Sequence, residues 1–564
     1  MKAEEKKEWR NFAVLLLGVG LVYMRSLHNG FLWDDQVVLV ANTFIKDWKN
    51  IGHLFGSSYF LGSGELSYRP VATASYLMGH LFWGLSRPGF HGLSLLLHLL
   101  TGVAVFLFFR RIFEMKGAAF WGAALFLLHP INTEAVLQVS FNEELFCGLF
   151  LVLAFYFYVR CLPGESLGNV KMRLYGLSLA CYTLSLFSKE MGIVFPLLLL
   201  LYESILGKEK NLSRGILRWW PYLGYGLISL FYLWVRFFAL RNPKELSVPY
   251  IQDSFIVNGL TMAKVFFLYL KQLLWPFHLS PDHHVEVVAR VGDPLVVLIF
   301  LGFLGGGGVF FWVLRRSRLK AFLSLWVVVG LLPVLNFIPF LKENFMADRY
   351  LYLSSMGFSG WVASLGVQEG AWKGKGKTLL LLLLVGFGAL TFRRTLDWKD
   401  DVRFWGRSVE TDPLSVESHN RLGSAYSQRR EFDKAMAEYK IALRLNPQST
   451  RALNNMGNVF FSLGQYDSAL RVYNQSLAID PHAAVTYANR GSAWQALGRP
   501  VEAIEDYSRA LEMKPSFAEV YLNLAVVHED LHQLEAARKA YQSYLLLRPN
   551  SIEVQNRLLS LKTK

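Results

Sequence analysis

LTMAKVFFLYLKQLLW, residues 260–275, decides how the chain is threaded. It is apolar enough to count among membrane-crossing runs, but Lys264 and Lys271 interrupt it. Eleven other runs are long enough, or nearly so, to cross a hydrocarbon core about 30 Å thick. They lie at about 11–25, 90–109, 117–131, 143–159, 174–187, 190–206, 219–240, 292–314, 321–340, 350–367 and 378–392. The N-terminal cations Lys2, Lys6, Lys7 and Arg10 set the first side as cytoplasmic, and each run then changes sides. The loops carrying Arg110, Arg111 and Lys116; Arg160, Lys171 and Arg173; Lys208, Lys210, Arg214 and Arg218; Arg315, Arg316, Arg318 and Lys320; and Lys373, Lys375 and Lys377 all land inside. That is the positive-inside pattern. It holds only if 260–275 does not cross, since a crossing would put Arg315-Arg316 outside. The stretch is therefore expected to lie on the outer surface as an interfacial helix with snorkelling lysines. The fold class follows: all-α, a polytopic domain of about eleven spans, with the C-terminal half outside.

Composition agrees. The 564 residues are 53% hydrophobic and 18% charged, against about 25% charged for a typical soluble chain. The first 390 or so residues hold most of the apolar content, and the last 170 or so are polar. The net charge of +15 sits in short loops between apolar runs. No basic stripe with interleaved aromatics appears, so nucleic acid is not an expected partner. The N-terminal MKAEEKKEWRNFAVLLLGVGLVYMRS lacks a small-residue cleavage site before Asn29-Gly30 and reads as an uncleaved first span. Cys147, Cys161 and Cys181 match no metal or redox spacing and are expected to be buried or lipid-facing.

The C-terminal half repeats. Pro413, Pro447, Pro481, Pro515 and Pro549 recur every 34 residues. In the same register run Gly423, Gly457, Gly491 and Ala525, then Ala435, Ala469, Ala503 and Ala537, then Tyr439, Tyr473, Tyr507 and Tyr541. Small residues let two helices approach, aromatics fill the gap and proline ends the second helix, which is the tetratricopeptide signature. The expected domains are 1–392 in the membrane, a connecting helix within 393–415, and a repeat domain at 416–564. The last holds four repeats and a C-terminal helix at Ile552–Lys562. Such solenoids bind extended peptide in a concave groove.

Acids and bases gather on the outer side of this topology. The first loop carries Asp34, Asp35 and the Tyr68-Arg69-Pro70 turn, and the second carries His129, Glu134, Glu143 and Glu144. A tight turn holds Lys189-Glu190, the fourth loop Asp282, His283 and His284, and the fifth Lys342, Glu343, Asp348 and Arg349. Charge this close to lipid is costly and marks function. A carboxylate there can take a proton from an acceptor hydroxyl, and an Arg or Lys can hold the phosphate of a lipid carrier.

WDD in the first loop, YRPVATASYLMGHLFWGLSRPGFHGLSLLLH, HPINTEAV, SKEMGIVFPLLLLLYE, PFHLSPDHH and ADRYLYLSSMGF, followed by the repeats, also resemble a family. The chain resembles GT-C membrane glycosyltransferases, in particular the transmembrane and tetratricopeptide-repeat O-mannosyltransferases and their bacterial relatives. The resemblance implies a lipid-phosphate sugar donor, repeats facing the lumen or periplasm, and a protein or peptide acceptor. It makes Asp34 and Asp35 the catalytic acidic pair, with Asp34 favoured as the base. Arg349, then Lys189, are its candidates for the donor phosphate. Glu134, His129, Asp282, His283 and Tyr350 are candidates for substrate contact. No metal site and no cofactor requirement are expected. Relatives often carry a basic residue before the acid of the second loop. This chain has Asn142-Glu143-Glu144, which sets an expectation of a different sugar or acceptor. The economical loops and lack of paired external cysteines point to a bacterial inner membrane, with an endoplasmic reticulum as the eukaryotic counterpart.

Blander readings stand beside these. Asp34 and Asp35 could cap a helix, His129 could bond a helix end, and Lys189-Glu190 could be a salt-bridged turn. Asp282-His283-His284 looks metal-like but suits a solvated loop better. His91 and His98 read as packed core, and Gly305–Gly308 as a close helix contact rather than a phosphate loop. The alternative function is a membrane-anchored repeat scaffold without catalysis. A transporter is disfavoured because no internal symmetry is visible.

Overall fold

The computed structural model describes residues 3–56, 59, 68–115, 117–162, 168–207, 220–239, 250–290, 292–337, 346–367, 373–548 and 551–561. Lys2, Lys116, Lys208, Lys210, Arg214, Arg218, Lys342, Glu343, Pro549 and Lys562, all used above, lie outside them. Among the described residues every regular element is helical. In chain order these are α1 (Ala3–Tyr23), α2 (Pro70–Trp83), α3 (Arg87–Ile112), α4 (Ala118–Leu128), α5 (Thr133–Leu137), α6 (Asn142–Cys161), α7 (Gly168–Ser188) and α8 (Phe195–Leu206). Then come α9 (Trp220–Trp234), α10 (Phe255–Leu274), α11 (Pro294–Arg316), α12 (Arg318–Leu331), α13 (Tyr352–Gly366) and α14 (Lys373–Asp397).

Each of the eleven apolar runs holds one of these helices. By length and hydropathy alone, six described segments could cross a membrane: Glu4–His28, Arg87–Ile112, Val139–Cys161, Pro221–Ala239, Pro294–Arg316 and Gly374–Asp397. Others are short. Helix α4 has 11 residues and reaches only about 17 Å at 1.5 Å per residue. Where the regular helix stops, 3-10 turns continue the chain at Pro130–Asn132, Val139–Phe141, Glu190–Val194 and Asp348–Leu351. Their residues are almost all buried, which suits irregular backbone near lipid because it needs partners inside the protein.

Side-chain bonds tie the helices together at both ends of the bundle. At one end Arg110, closing α3, pairs with Glu5 of α1 at 2.9 Å, and Tyr158 of α6 donates to Glu203 of α8. At the other end Thr391 of α14 donates to the Leu128 carbonyl closing α4 at 2.8 Å. Helix α10, the deciding stretch, touches that second end twice. Near its start Asn258 donates to the Asn336 carbonyl beyond α12 at 3.0 Å. Near its finish the Leu273 carbonyl bonds His129 beyond α4 at 3.1 Å. A helix whose two ends meet the same end of the bundle lies across it. Its inner face, including Met262, Val265, Tyr269 and Leu273, packs on Leu331, Leu335, Met346 and Leu351, while Phe255, Ile256 and Trp275 remain exposed. Lys264 does not simply reach for solvent, because its Nζ donates to the Glu286 carbonyl at 3.1 Å.

One expectation is corrected. Gly305–Gly308 make no close helix contact within the chain, since a Cβ at any of the four would meet nothing within 4 Å. The close approach on α11 is one turn earlier: a Cβ on Gly302 would sit 2.7 Å from the Phe267 ring of α10. The run itself faces outward on a helix whose Phe300, Leu304, Phe311 and Trp312 are exposed. The three cysteines are buried and unbridged.

The chain divides into two compact units, Met1–Phe404 and Trp405–Lys564. The second continues from α15 (Asp401–Thr411) through eight paired helices, Val416–Gln428 to Leu534–Leu547, and ends on Ile552–Ser560. The repeat chemistry is direct. A Cβ on Gly423, Gly457 or Gly491 would fall 2.5, 2.4 or 2.8 Å from the ring of Tyr439, Tyr473 or Tyr507. The rings are buried and their hydroxyls satisfied, Tyr473 by Asn458 at 2.6 Å and Tyr507 by Ser492 at 3.0 Å.

Candidate active site

The chain leaves α1 through a 3-10 turn, Met24–His28, and reaches Phe31-Leu32-Trp33-Asp34-Asp35. Phe31 stacks on His91 of α3, ring centroids 6.0 Å apart. Trp33 adopts φ +48°, a left-handed conformation costing a side-chain-bearing residue about 1–2 kcal/mol. Contacts hold it there: Phe141 edge-on at 5.9 Å, Phe404 at 6.5 Å and the Arg349 guanidinium at 5.7 Å. This twist separates the two carboxylates. Asp35 turns inward, 1% exposed, and its Oδ1 accepts from the Ser140 N–H at 2.6 Å. Its Oδ2 has no hydrogen-bond partner among the described residues. Burial pushes its pKa up to about 7, with the Ser140 N–H pulling the other way. Asp34 stays half-buried, and its charge acts on Arg349.

Arg349 occupies the 3-10 turn Asp348–Leu351. Its Nη1 reaches Glu134 Oε1 at 2.5 Å and its backbone N–H reaches Glu134 Oε2 at 2.8 Å. The guanidinium lies 4.3 Å from the Phe141 ring and 4.8 Å from that of Tyr350. Glu134 is fully buried, and burial drives its carboxyl up to about 7 against the pull of Arg349. Lys189 approaches the Tyr350 ring to 5.5 Å. It is 5% exposed, meets Glu143 at 3.2 Å and also bonds Glu144. The network continues: Arg69 meets Glu143 at 2.5 Å and Glu190 at 3.3 Å, and Arg236 meets Glu190 at 3.3 Å. A second cluster adjoins Arg349 through Asp348. His283 Nε2 lies 2.9 Å from Asp348 Oδ1, Gln272 donates to the same oxygen at 3.1 Å, and Arg394 reaches Oδ2 at 3.5 Å. Among the described residues no three His, Cys, Asp or Glu side chains gather as a metal site.

An acidic turn, a guanidinium on aromatic faces and a run of buried ion pairs thus share one end of a helical bundle. Protein O-mannosyl-transferase Tmtc1 of Drosophila melanogaster is 24% identical over 525 residues, covering 75% of this chain and 60% of that protein. Protein O-mannosyl-transferase TMTC3 of Homo sapiens is 26% identical over 473 residues, with 76% and 50% covered. The chain resembles the tetratricopeptide-repeat O-mannosyl-transferases. It spans about half to three fifths of the length of these relatives. The tetratricopeptide repeat family itself matches residues 448–516 and 495–561, and a TPR repeat matches 423–464. Among solved structures, MamA is 22% identical over 28% of this chain and 91% of that one, with a TM-score of 0.25.

The O-mannosyl-transferase resemblance singled out Asp34, Asp35, Glu134, Lys189, Arg349 and Tyr350, which lie in one connected set of contacts or charges. His283 joins it through Asp348. Asp282 is one residue removed, in a turn where its N–H meets Ser280 Oγ at 3.4 Å. His129 has both ring nitrogens committed, Nδ1 to the Ile131 N–H at 3.2 Å and Nε2 to the Leu273 carbonyl. Its geometry is that of a brace under the 130–132 turn, not of a group offered to substrate. His98 likewise spans Tyr352 and the Leu127 carbonyl, both at 3.0 Å, and is core. Four residues escaped the sequence reading. Arg69 was visible only as a turn residue, and Arg394 and Gln272 carry no local signal, since their partners Asp348 and Leu279 are distant in sequence or on other elements. Arg236 left a usable trace, a lone cation inside an apolar run, which is costly enough to mark a site.

Proposed function

We propose that this chain is a membrane glycosyltransferase. It moves a hexose, mannose on the analogy of its relatives' names, from a polyprenyl-phosphate carrier to a Ser or Thr hydroxyl of a protein. The observation that carries the reading is the meeting of the Trp33-Asp34-Asp35 turn with Arg349, in a chain similar over three quarters of its length to proteins named O-mannosyl-transferases. Asp34, the more accessible acid, takes the acceptor proton. The hydroxyl oxygen then bonds the anomeric carbon while the bond to the carrier phosphate breaks, and a single displacement inverts that carbon. Arg349, with Lys189 across the Tyr350 ring, balances the charge arriving on the departing phosphate. Asp35, pinned by Ser140, positions the turn. Glu134 orients Arg349, and Asp282 and His283 flank the substrate. The repeats recruit the acceptor protein. The reaction belongs to the non-cytoplasmic face, periplasmic in a bacterium or lumenal in an endoplasmic reticulum.

The test is Asp34→Asn and Asp35→Asn in membranes supplied with lipid-linked sugar. A positioned general base is worth about 10²–10⁴-fold, so Asp34→Asn should lose transfer by at least about a hundredfold. Full transfer by both variants would overturn the assignment. One observation favours the scaffold reading instead: Arg349 and Lys189 are already neutralised by Glu134, Glu143 and Glu144. The same assay separates the two.

A further inference from the structure

The first helices of the repeats, Val416–Gln428, Thr450–Ser462, Ala484–Ala496 and Ala518–Asp530, pack on one another from repeat to repeat and so form one continuous face. Asparagines run across it. Asn455 Nδ2 donates to Asn420 Oδ1 at 3.0 Å, and Asn489 Nδ2 donates to Asn454 Oδ1 at 3.0 Å. Each donor stands 35 positions after its acceptor, one repeat and one residue on, so the two bonds are rungs of a ladder. The ladder stops where Ala488 stands in the acceptor's place and Asn523 turns to the Tyr507 hydroxyl instead. Both rungs leave polar groups over. Asn458 Oδ1 takes the Tyr473 hydroxyl at 2.6 Å, but the Nδ2 groups of Asn454 and Asn458 donate to no described residue. The Oδ1 atoms of Asn455 and Asn489 accept from none. These four side chains are only half-buried, and their spare atoms are open to solvent.

We infer that this ladder is a docking strip for a peptide in the polyproline II conformation, held through its backbone rather than its side chains. A carboxamide carries the same donor and acceptor as a peptide unit. The spare N–H groups of Asn454 and Asn458 suit peptide carbonyls, and the spare oxygens of Asn455 and Asn489 suit peptide N–H groups. The partner must bring unspent backbone groups of its own. A helix has spent its groups internally, whereas polyproline II makes no internal hydrogen bonds. The periods also agree. Packed helices stand about 8–10 Å apart, and polyproline II returns to the same orientation every three residues, about 9 Å. Successive rungs therefore meet the same edge of such a peptide. A β-strand returns every two residues, about 7 Å, and falls out of step. With the repeats recruiting the acceptor, the proposal on which this rests, the acceptor is a Ser- and Thr-bearing segment that proline holds extended. Its hydroxyls are left unread, so one strip serves many sequences.

The experiment uses the full chain in detergent and, as probe, a capped, uncharged peptide of four Pro-Thr-Ser units, with no sugar donor present. Failure of the transferase chemistry then leaves the binding result standing, and failure of binding leaves the chemistry untouched. Asn454→Asp keeps the oxygen that accepts from Asn489 and removes only the spare N–H groups, and Asn458→Asp does the same beside Tyr473. Each should weaken binding by about two- to tenfold, the usual worth of one neutral hydrogen bond. Wild-type affinity in both variants overturns the strip. A second measurement needs no variant. The probe methylated on its Thr and Ser backbone nitrogens loses those N–H groups and should bind at least about tenfold more weakly, through the loss of several such bonds. Equal affinity overturns recognition through the backbone. Reordering the same residues should change affinity by no more than about twofold, well under the effect of one lost hydrogen bond at its upper range; a preference above about tenfold for one order means that side chains are read. A helical Ala-rich peptide should bind more weakly than the probe, and tighter binding overturns the extended occupant.

Discussion

Glu134 and Arg349 set the energetics at the residue scale. Removing one partner of a buried pair leaves the other charge stranded, at about 3–5 kcal/mol. Glu134→Gln should therefore lower the thermal midpoint of the detergent-solubilised protein sharply. Glu134→Gln with Arg349→Met should recover much of the loss, and additive effects would mean that the pair does not act as a unit. Asp35 gives a pH dependence. Its folded pKa of about 7 stands above the ordinary carboxylate value of 3.8, so the folded state favours its proton more than the unfolded state does. The associated stability is complete below about pH 4 and is lost as pH rises through about 7. The span corresponds to about 4 kcal/mol at most. Asp35→Asn removes this loss, so the midpoint of the variant relative to wild type should climb between pH 5 and pH 8. A difference independent of pH would contradict the buried, partly unmet carboxylate. The site was partly legible from sequence at this scale. WDD, HPINTEAV and ADRYLYL located Asp34, Glu134 and Arg349. The partnership of Glu134 with Arg349 spans 215 positions in the chain, a pairing that no local spacing encodes.

At the element scale, the surface placement of α10 makes a prediction. Its two lysines and the arithmetic of the basic loops both argued against a crossing, and both ends of the helix meet one end of the bundle. Single cysteines at Phe255 and Phe277 should react with a membrane-impermeant maleimide from the same side, and one at Arg315 from the opposite side. Labelling of Phe255→Cys and Phe277→Cys from opposite sides would sink the topology. Gly305–Gly308 were misread for a physical reason. A small-residue stripe states that close approach is allowed, not that a neighbour is present, and the neighbour stands at Gly302. In the repeats the register itself carried the answer, because one aromatic per 34 residues needs one small residue opposite. Gly457→Ala, whose Cβ would meet the Tyr473 ring at 2.4 Å, should destabilise Trp405–Lys564 by about 1–3 kcal/mol through overpacking. Chemical denaturation followed by circular dichroism reads this, and a Tyr473→Leu background should relieve it.

Over the whole molecule, the two units divide the labour proposed here: chemistry in Met1–Phe404, recruitment in Trp405–Lys564. Truncation after Phe404 should raise the KM for a protein acceptor by at least about tenfold, the lower range of what loss of a linked binding module does. Transfer to a short peptide supplied in excess should persist, and equal loss with both acceptors would contradict the division. The apolar runs and the 34-residue period made this two-part layout readable. Several runs already read as nearly too short to span, but where regular helix stops in α4, α8, α12 and α13 was not readable, because an apolar run continues through a 3-10 turn as readily as through a helix. Those turns carry a last consequence. His129, Ser140, Glu190 and Arg349 stand at or within four brief 3-10 turns where regular helix gives out. The helices answer to bilayer thickness, whereas the turns answer mainly to one another. Under the proposed function, substitutions in the turns would alter sugar or acceptor choice with little effect on the helices that carry them.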